Sequence, residues 1–194
     1  MSNLPLGATI GILGGGQLGR MLSVAASRLG YRTHVFEPSA NCPAADVAHK
    51  VTTARYDDVA ALTKFAKSVD VITYEFENIP TEALDTLEAL RPIRPNRRAL
   101  AISQDRIKEK DFLTGLGLKC APYAFVQTEA DMTAAVTKIG APAILKTTRL
   151  GYDGKGQARL KSAEDAQAAF ASMNGAESVL EGFITFSHEV SVIA

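Results

Sequence analysis

The sequence predicts an α/β protein in two parts: a parallel sheet with helices on both faces, then a smaller α+β unit built on antiparallel strands. Three observations predict it. From residue 8 to about 93, short apolar runs alternate with amphipathic segments, the pattern of parallel strands joined by crossover helices. Residues 91–98 hold two prolines among basic side chains, which ends the preceding helix and marks a boundary. After Pro122 the alternation restarts, and two apolar runs flank a glycine-rich segment as the arms of a hairpin do.

In the first part, strands are expected at 8–13, 33–36, 50–52 and 69–73, with helices at 18–29, 59–66 and 82–90. Asp57 and Asp58 suit the start of the second helix, and Pro80 and Thr81 open the third. A Rossmann-like winding follows. Residues 100–116 read as one helix stopped by Gly115 and Gly117, with Gln104, Asp105, Arg106, Lys108, Glu109, Lys110 and Asp111 as a solvated polar band. The second part is expected to run strand 123–126, helix 129–139, strand 143–146, glycine-rich loop, strand 158–160, helix 163–173 and strand 178–182. A last strand over 188–194 reaches the final residue, which predicts a chain cut short of its natural end.

Composition bounds the function. At 194 residues and 46% hydrophobic content the chain can bury a core. Lysine plus arginine and aspartate plus glutamate each total 21, so nothing steers it toward nucleic acid or an acidic membrane. Cys42 and Cys120 form no disulfide framework or zinc pattern, and a reducing cytoplasm suits them. The N-terminus lacks an export signal, and no apolar run approaches a membrane span.

Four motifs carry candidate chemistry. Gly14 to Gly19 reads Gly-Gly-Gly-Gln-Leu-Gly, a Gly-x-Gly-x-x-Gly turn between strand and helix, with Glu37 at the end of the next strand. A dinucleotide, another phosphate ligand and a purely structural turn all fit this pattern. Glu75, in Tyr-Glu-Phe-Glu-Asn at 74–78, is expected at a strand's carboxyl end, facing a ligand crevice or water. Lys146 closes an apolar strand and precedes Gly151, Tyr152, Asp153, Gly154, Lys155, Gly156 and Gln157. Such a loop can turn amides toward a polyphosphate while two lysines flank it, although Asp153-Gly154 is also an ordinary hairpin turn. Glu181, Gly182, Phe183 and Ile184, followed by Glu189, suit a hinge with apolar walls for a base, and Phe183 equally suits a core position. The histidines stand without nucleophile or metal partners and read as structural.

Taken together, and in this order along nearly the whole chain, these motifs closely resemble those of the 5-(carboxyamino)imidazole ribonucleotide synthases, ATP-grasp ligases of purine biosynthesis. The resemblance implies ATP, bicarbonate and 5-aminoimidazole ribonucleotide as substrates, with magnesium (Mg2+), in a cytoplasmic homodimer. It implies phosphate contacts from Arg106 and Lys146, a lid at 151–157, adenine contacts at 181–184 and a ribose contact from Glu189. Gln17, Leu18 and Glu75 become contacts of the ribonucleotide substrate, joined by Tyr152, Asp153 and Lys155 when the lid closes. The implied domains are a pre-ATP-grasp Rossmann-like domain at 1–97, a helical connector at 98–118, the small ATP-grasp subdomain at 119–182 and the start of a truncated third domain at 183–194. The metal carboxylates would then lie beyond position 194, leaving residues 1–194 inactive alone. An NAD-dependent oxidoreductase, a non-catalytic nucleotide-sensing module, a biotin-carboxylase-like enzyme and a formate-dependent transformylase are the competing functions.

Overall fold

The computed structural model describes residues 4–151 and 155–192. Contacts divide the chain into two compact units, residues 1–103 and 104–194. Among the described residues no helix is long and apolar enough to cross a membrane.

The first unit is built on four parallel strands: β1 (Thr9–Leu13), β2 (Arg32–Glu37), β3 (Lys50–Thr53) and β4 (Val71–Tyr74). Their order is β3-β2-β1-β4, so the winding reverses at β1, and Leu13 lies between Phe36 and Tyr74 in register. The alternating side chains feed two layers. Leu13, Phe36 and Ile72 pack against α2 (Val59–Lys67) and α3 (Thr81–Glu88) through Leu62, Phe65, Leu84 and Leu87, all buried. Ile12 and Val35 form a separate cluster with Ala44, from a short 3-10 turn at Pro43–Asp46. Helix α1 (Gln17–Arg28) packs against that turn and buries Gly19, Ser23 and Ala26. Asp58 caps α2 by accepting from the Ala61 amide at 2.9 Å, as its position in the sequence suggests. Helix α4 (Arg97–Ser103) closes this unit, with Leu100 buried in the α2/α3 layer.

His34 sits inside β2 with both ring nitrogens satisfied. Ser68 gives its hydroxyl proton to the Phe65 carbonyl, so the His34 Nδ1–H donates to Ser68 Oγ at 2.8 Å and Nε2 accepts from Thr52 Oγ1 at 2.8 Å. Burial, with the nearby charge of Lys50, lowers its pKa to about 4. The unfolded chain therefore binds a proton that the folded chain refuses. Stability is full above the unfolded value and falls as pH drops toward the folded one, by about 2 kcal/mol between pH 7 and pH 5. Urea unfolding at these two pH values should show that loss, and in His34→Gln the pH-dependent part should vanish.

The second unit begins where one helix was expected over 100–116. The structure breaks it: α4 ends at Ser103 and α5 spans Arg106–Gly115. Asp105 is extended between them, and its carboxylate accepts from the amides of Ile107 (2.9 Å) and Lys108 (3.2 Å). The Arg106 amide also leaves the helical path to donate to the Thr148 carbonyl at 2.9 Å. Four antiparallel strands follow, β5 (Tyr123–Val126), β6 (Ala143–Thr147), β7 (Gln157–Leu160) and β8 (Ser178–Gly182), in the order β5-β8-β6-β7. Helix α6 (Glu129–Ile139) starts at a capping box between Thr128 and Asp131, and α7 spans Ala166–Ser172. Met132, Ala135 and Ala169 from these helices meet Leu145, Leu160 and Leu180 on one sheet face. The β6–β7 hairpin confirms the arms expected around the glycine-rich loop.

Over the described part of the strand expected at 188–194, residues 188–192, no strand is formed. Residues 183–192 carry no strand pairing, and Val190 and Val192 are more than four-fifths exposed. Alternating apolar residues define a strand only where an edge receives their backbone groups, and among the described residues none does.

Candidate functional site

In the first unit the glycine turn links β1 to α1, and two carboxylates from neighbouring strands converge on it. Helix α1 has no capping side chain of its own and no acid in its first turn. Glu75, just past β4, substitutes for both: Oε1 accepts from the Gly16 amide at 2.5 Å, and Oε2 accepts from the Gly19 amide. These are the two amides that a local capping box would satisfy, and an anion there also meets the positive end of the helix dipole. Glu37 accepts from the amides of Gly15 (2.8 Å) and Ser39 (3.0 Å). The turn needs glycine because these groups approach so closely. Gly14 has φ +97°, and a Cβ there would lie 2.5 Å from Glu75 Cγ.

Three amides of the turn, those of Gly15, Gly16 and Gly19, are thus bonded to the protein's own carboxylates. Glu37 faces the turn rather than standing ready for a ribose, which removes the main support for the NAD reading. Gln17 and Leu18 are exposed on the first turn of α1, beside the amides that Glu75 holds.

In the second unit, Lys146, Lys110 and Glu181 meet on the sheet face opposite the α6/α7 core. Lys146 Nζ lies 2.9 Å from Glu181 Oε2, and Lys110 Nζ lies 3.2 Å from Glu181 Oε1. All three side chains are largely withdrawn from water, with exposures of 23% for Lys146, 14% for Lys110 and 11% for Glu181. Burial raises the Glu181 pKa, but the hydrogen bond from Lys146 and the charges of both lysines outweigh it, leaving the carboxylate below its ordinary range. It stays ionised at neutral pH.

Arg106 braces the root of the glycine-rich loop. Its Nε donates to the Thr147 carbonyl at 3.2 Å and its Nη2 to the Gly151 carbonyl at 2.8 Å. The Thr147 amide donates to the Gly156 carbonyl at 2.8 Å, so the loop is closed at its base. Gly156 adopts φ +65°, and a Cβ there would meet Thr147 Oγ1 at 2.7 Å. Lys155 and Gln157 are exposed beyond that base. Tyr152, Asp153 and Gly154, expected as lid and substrate contacts, lie outside the described residues.

Past β8, the Gly182 and Phe183 amides donate to the Pro122 (2.8 Å) and Pro142 (3.0 Å) carbonyls, which fixes the hinge. The Phe183 ring lies under the Arg159 guanidinium at 4.4 Å, and Ile184 is exposed beside it. Phe183 is therefore a wall at the surface and not core filling. Glu189 is exposed in the unpaired segment. A cavity of about 890 Å3 lies along α5 and the 118–125 segment, and among the described residues its walls include neither Lys146 nor Glu181.

Sequence reasoning missed two residues. Lys110 read as part of a solvated band, and Glu37 as a ribose acid. For Glu37 a signal was present, since three consecutive glycines place bare amides where a strand-end acid from the adjacent strand can reach.

A nucleotide-type turn and a lysine-rich hairpin site on two sheets of these topologies define a class, and family comparison agrees. The ribonucleotide synthetase preATP-grasp domain matches residues 7–104 and the ATP-grasp domain matches residues 111–194. The chain belongs to the ribonucleotide synthetases that combine these two domains. Within them it is similar to N5-carboxyaminoimidazole ribonucleotide synthase of Brucella melitensis biotype 1, at 53% identity over 100% of this chain and 54% of that protein. The structure of an N5-carboxyaminoimidazole ribonucleotide synthetase in complex with ADP superposes with a TM-score of 0.90 at 42% identity, covering 96% of this chain and 50% of the other. The Aspergillus clavatus N5-carboxyaminoimidazole synthase in complex with ADP and 5-aminoimidazole ribonucleotide gives 0.83 at 27% identity, over 94% and 48%. The chain spans about half the length of the relatives it matches.

Proposed function

We propose that this chain forms the nucleotide-binding half of an ATP-dependent ligase that carboxylates 5-aminoimidazole ribonucleotide with bicarbonate, giving the N5-carboxyamino product, ADP and phosphate. The observation that carries the proposal is the pair of half-buried lysines converging on Glu181 beside a glycine loop whose root is closed. Two cations and one carboxylate leave a net positive charge in a partly dry site, which favours a polyphosphate. Lys146 meets the phosphates, Arg106 holds the loop root and reaches the same anion, and residues 151–157 cover it. Phe183 and Ile184 wall the adenine. The base edge hydrogen-bonds backbone at or beyond Ile184, since the amides before it are already bonded. Glu189 takes the ribose.

In the reaction, a bicarbonate oxygen attacks the γ-phosphorus and ADP leaves, giving carboxyphosphate. The ribonucleotide amine then bonds to the carboxyl carbon as phosphate leaves and the amine loses a proton. Gln17, Leu18 and Glu75 meet the ribonucleotide, and Glu75 accepts from its hydroxyls. Tyr152, Asp153 and Lys155 join on closure. Among the described residues no group of three or more His, Cys, Asp or Glu side chains is arranged to hold a metal, so magnesium, which accompanies ATP in this proposal, is given no ligand from them. The domains are assigned as pre-ATP-grasp (1–97), connector (98–118), small ATP-grasp subdomain (119–182) and the start of a third domain (183–194), in a cytoplasmic homodimer.

Calorimetric titration tests the nucleotide half. The chain should bind magnesium ATP saturably and NADH not at all; NADH binding without an ATP response would overturn the proposal. The full-length protein should release phosphate from ATP only when both bicarbonate and 5-aminoimidazole ribonucleotide are present.

A further inference from the structure

The Lys110–Glu181–Lys146 cluster has a feature that nucleotide binding alone does not require: its carboxylate is held from both sides. Lys146 reaches Glu181 Oε2 from β6, and Lys110 reaches Oε1 from α5. Lys110 is itself fixed, with Nζ 5.5 Å above the centre of the Tyr123 ring. Tyr123 is the register partner of Glu181 on β5, and its hydroxyl donates to Asp111 at 2.7 Å, one residue along α5 from Lys110. Lys146 is placed differently. It sits next to Thr147, whose amide closes the root of the glycine loop. One lysine is anchored to the scaffold, and the other stands at the mouth of the phosphate loop.

We propose that Lys110 is a positioning residue that keeps Glu181 paired while Lys146 transfers from that carboxylate to the incoming polyphosphate. The inference rests on the ATP reading above. With no nucleotide, Lys146 is neutralised by Glu181. A phosphate draws Lys146 away, and a carboxylate buried to this degree cannot be left alone at neutral pH without a large penalty. Lys110 removes that penalty because it already holds the other oxygen. The exchange then swaps one ion pair for another instead of breaking one.

Without Lys110, Glu181 must either retain Lys146, which weakens ATP binding, or take up a proton as Lys146 leaves. Among the described residues, the charged and titratable groups around this face are Arg106, Lys110 and Asp111 on α5, Tyr123 on β5, Lys146 on β6 and Arg159 on β7. The α6 side of the sheet presents Met132 and Ala135 to the apolar core. Only Glu181 among these groups loses its partner in the exchange.

The test is Lys110→Met in the chain that binds magnesium ATP, titrated calorimetrically from pH 6 to pH 8 in buffers of different ionisation enthalpy. Binding by the unaltered chain should be accompanied by no proton uptake beyond that of ATP itself. In Lys110→Met, ATP affinity should fall about 10- to 100-fold at pH 7.5, as for loss of one partner of a buried charge pair. Its affinity should fall further as pH rises, with up to one extra proton taken up. Adenosine needs no transfer of Lys146, so its binding, followed by ligand-observed NMR, should be unchanged. Lys110→Arg, which keeps the cation, should recover ATP affinity. Equal loss of adenosine and ATP, or a Lys110→Met affinity that matches the unaltered chain with no extra proton, would overturn the inference. Failure of the unaltered chain to bind ATP would instead overturn the functional proposal beneath it.

Discussion

Replacing Glu75 with alanine is expected to lower the stability of the first unit by about 3 kcal/mol, the scale for removing charge-assisted bonds to two partly buried amides. For a unit of this size that corresponds to a fall of about 15 °C in the melting temperature. The reason is the position of the carboxylate over the Gly16 and Gly19 amides, at the start of a helix with no cap of its own. Glu75→Gln retains an acceptor and should recover part of the loss. The alanine variant should also respond more strongly than the unaltered protein to inorganic sulfate: low concentrations should raise its melting temperature further, because the vacated amides now face an anion. Melting curves with and without sulfate decide this, and an unaltered melting temperature in Glu75→Ala would reject the cap.

Lys146→Met is expected to weaken magnesium ATP binding by about 100-fold, or about 2.7 kcal/mol, as a charge-assisted contact to phosphate is lost in a site shielded from water. Stability should change far less than for removal of Glu181, because Lys110 remains on the carboxylate. Calorimetry and thermal melting separate the two effects. A dissociation constant within threefold of the unaltered chain would mean that Lys146 does not meet the phosphates.

The sequence shows some of this plainly and conceals the rest for physical reasons. The apolar runs of β1, β2 and β4 are legible because a parallel sheet covered on both faces demands them, and Asp58 announces α2 by a bond only three residues long. The break between α4 and α5 is hidden. Gln104, Asp105 and Arg106 fit helical spacing, and what stops the helix is a bond from the Arg106 amide to Thr148, a residue distant in the sequence. Lys110 is hidden in the same way, since its spacing in α5 is that of a surface lysine and only the fold brings Glu181 to it. The described residues 188–192 show the opposite error: an apolar pattern was present, but no strand pairs with it. The glycine turn was legible as a turn, while the occupants of its amides depended on where β2 and β4 delivered their terminal acids.

That last feature changes how such a turn discriminates between ligands. A bare glycine turn at a helix start is an electropositive nest that attracts anions of many kinds. Once Glu75 is seated in it, the outward surface is a carboxylate whose remaining lone pairs repel phosphate and accept hydrogen bonds. In the proposed function, the same backbone serves as a reader of hydroxyl and amine donors. One acid at the end of a neighbouring strand thus reverses the sign of the electrostatic preference without moving a glycine, and the glycines alone do not set the chemical class of ligand that such a turn attracts.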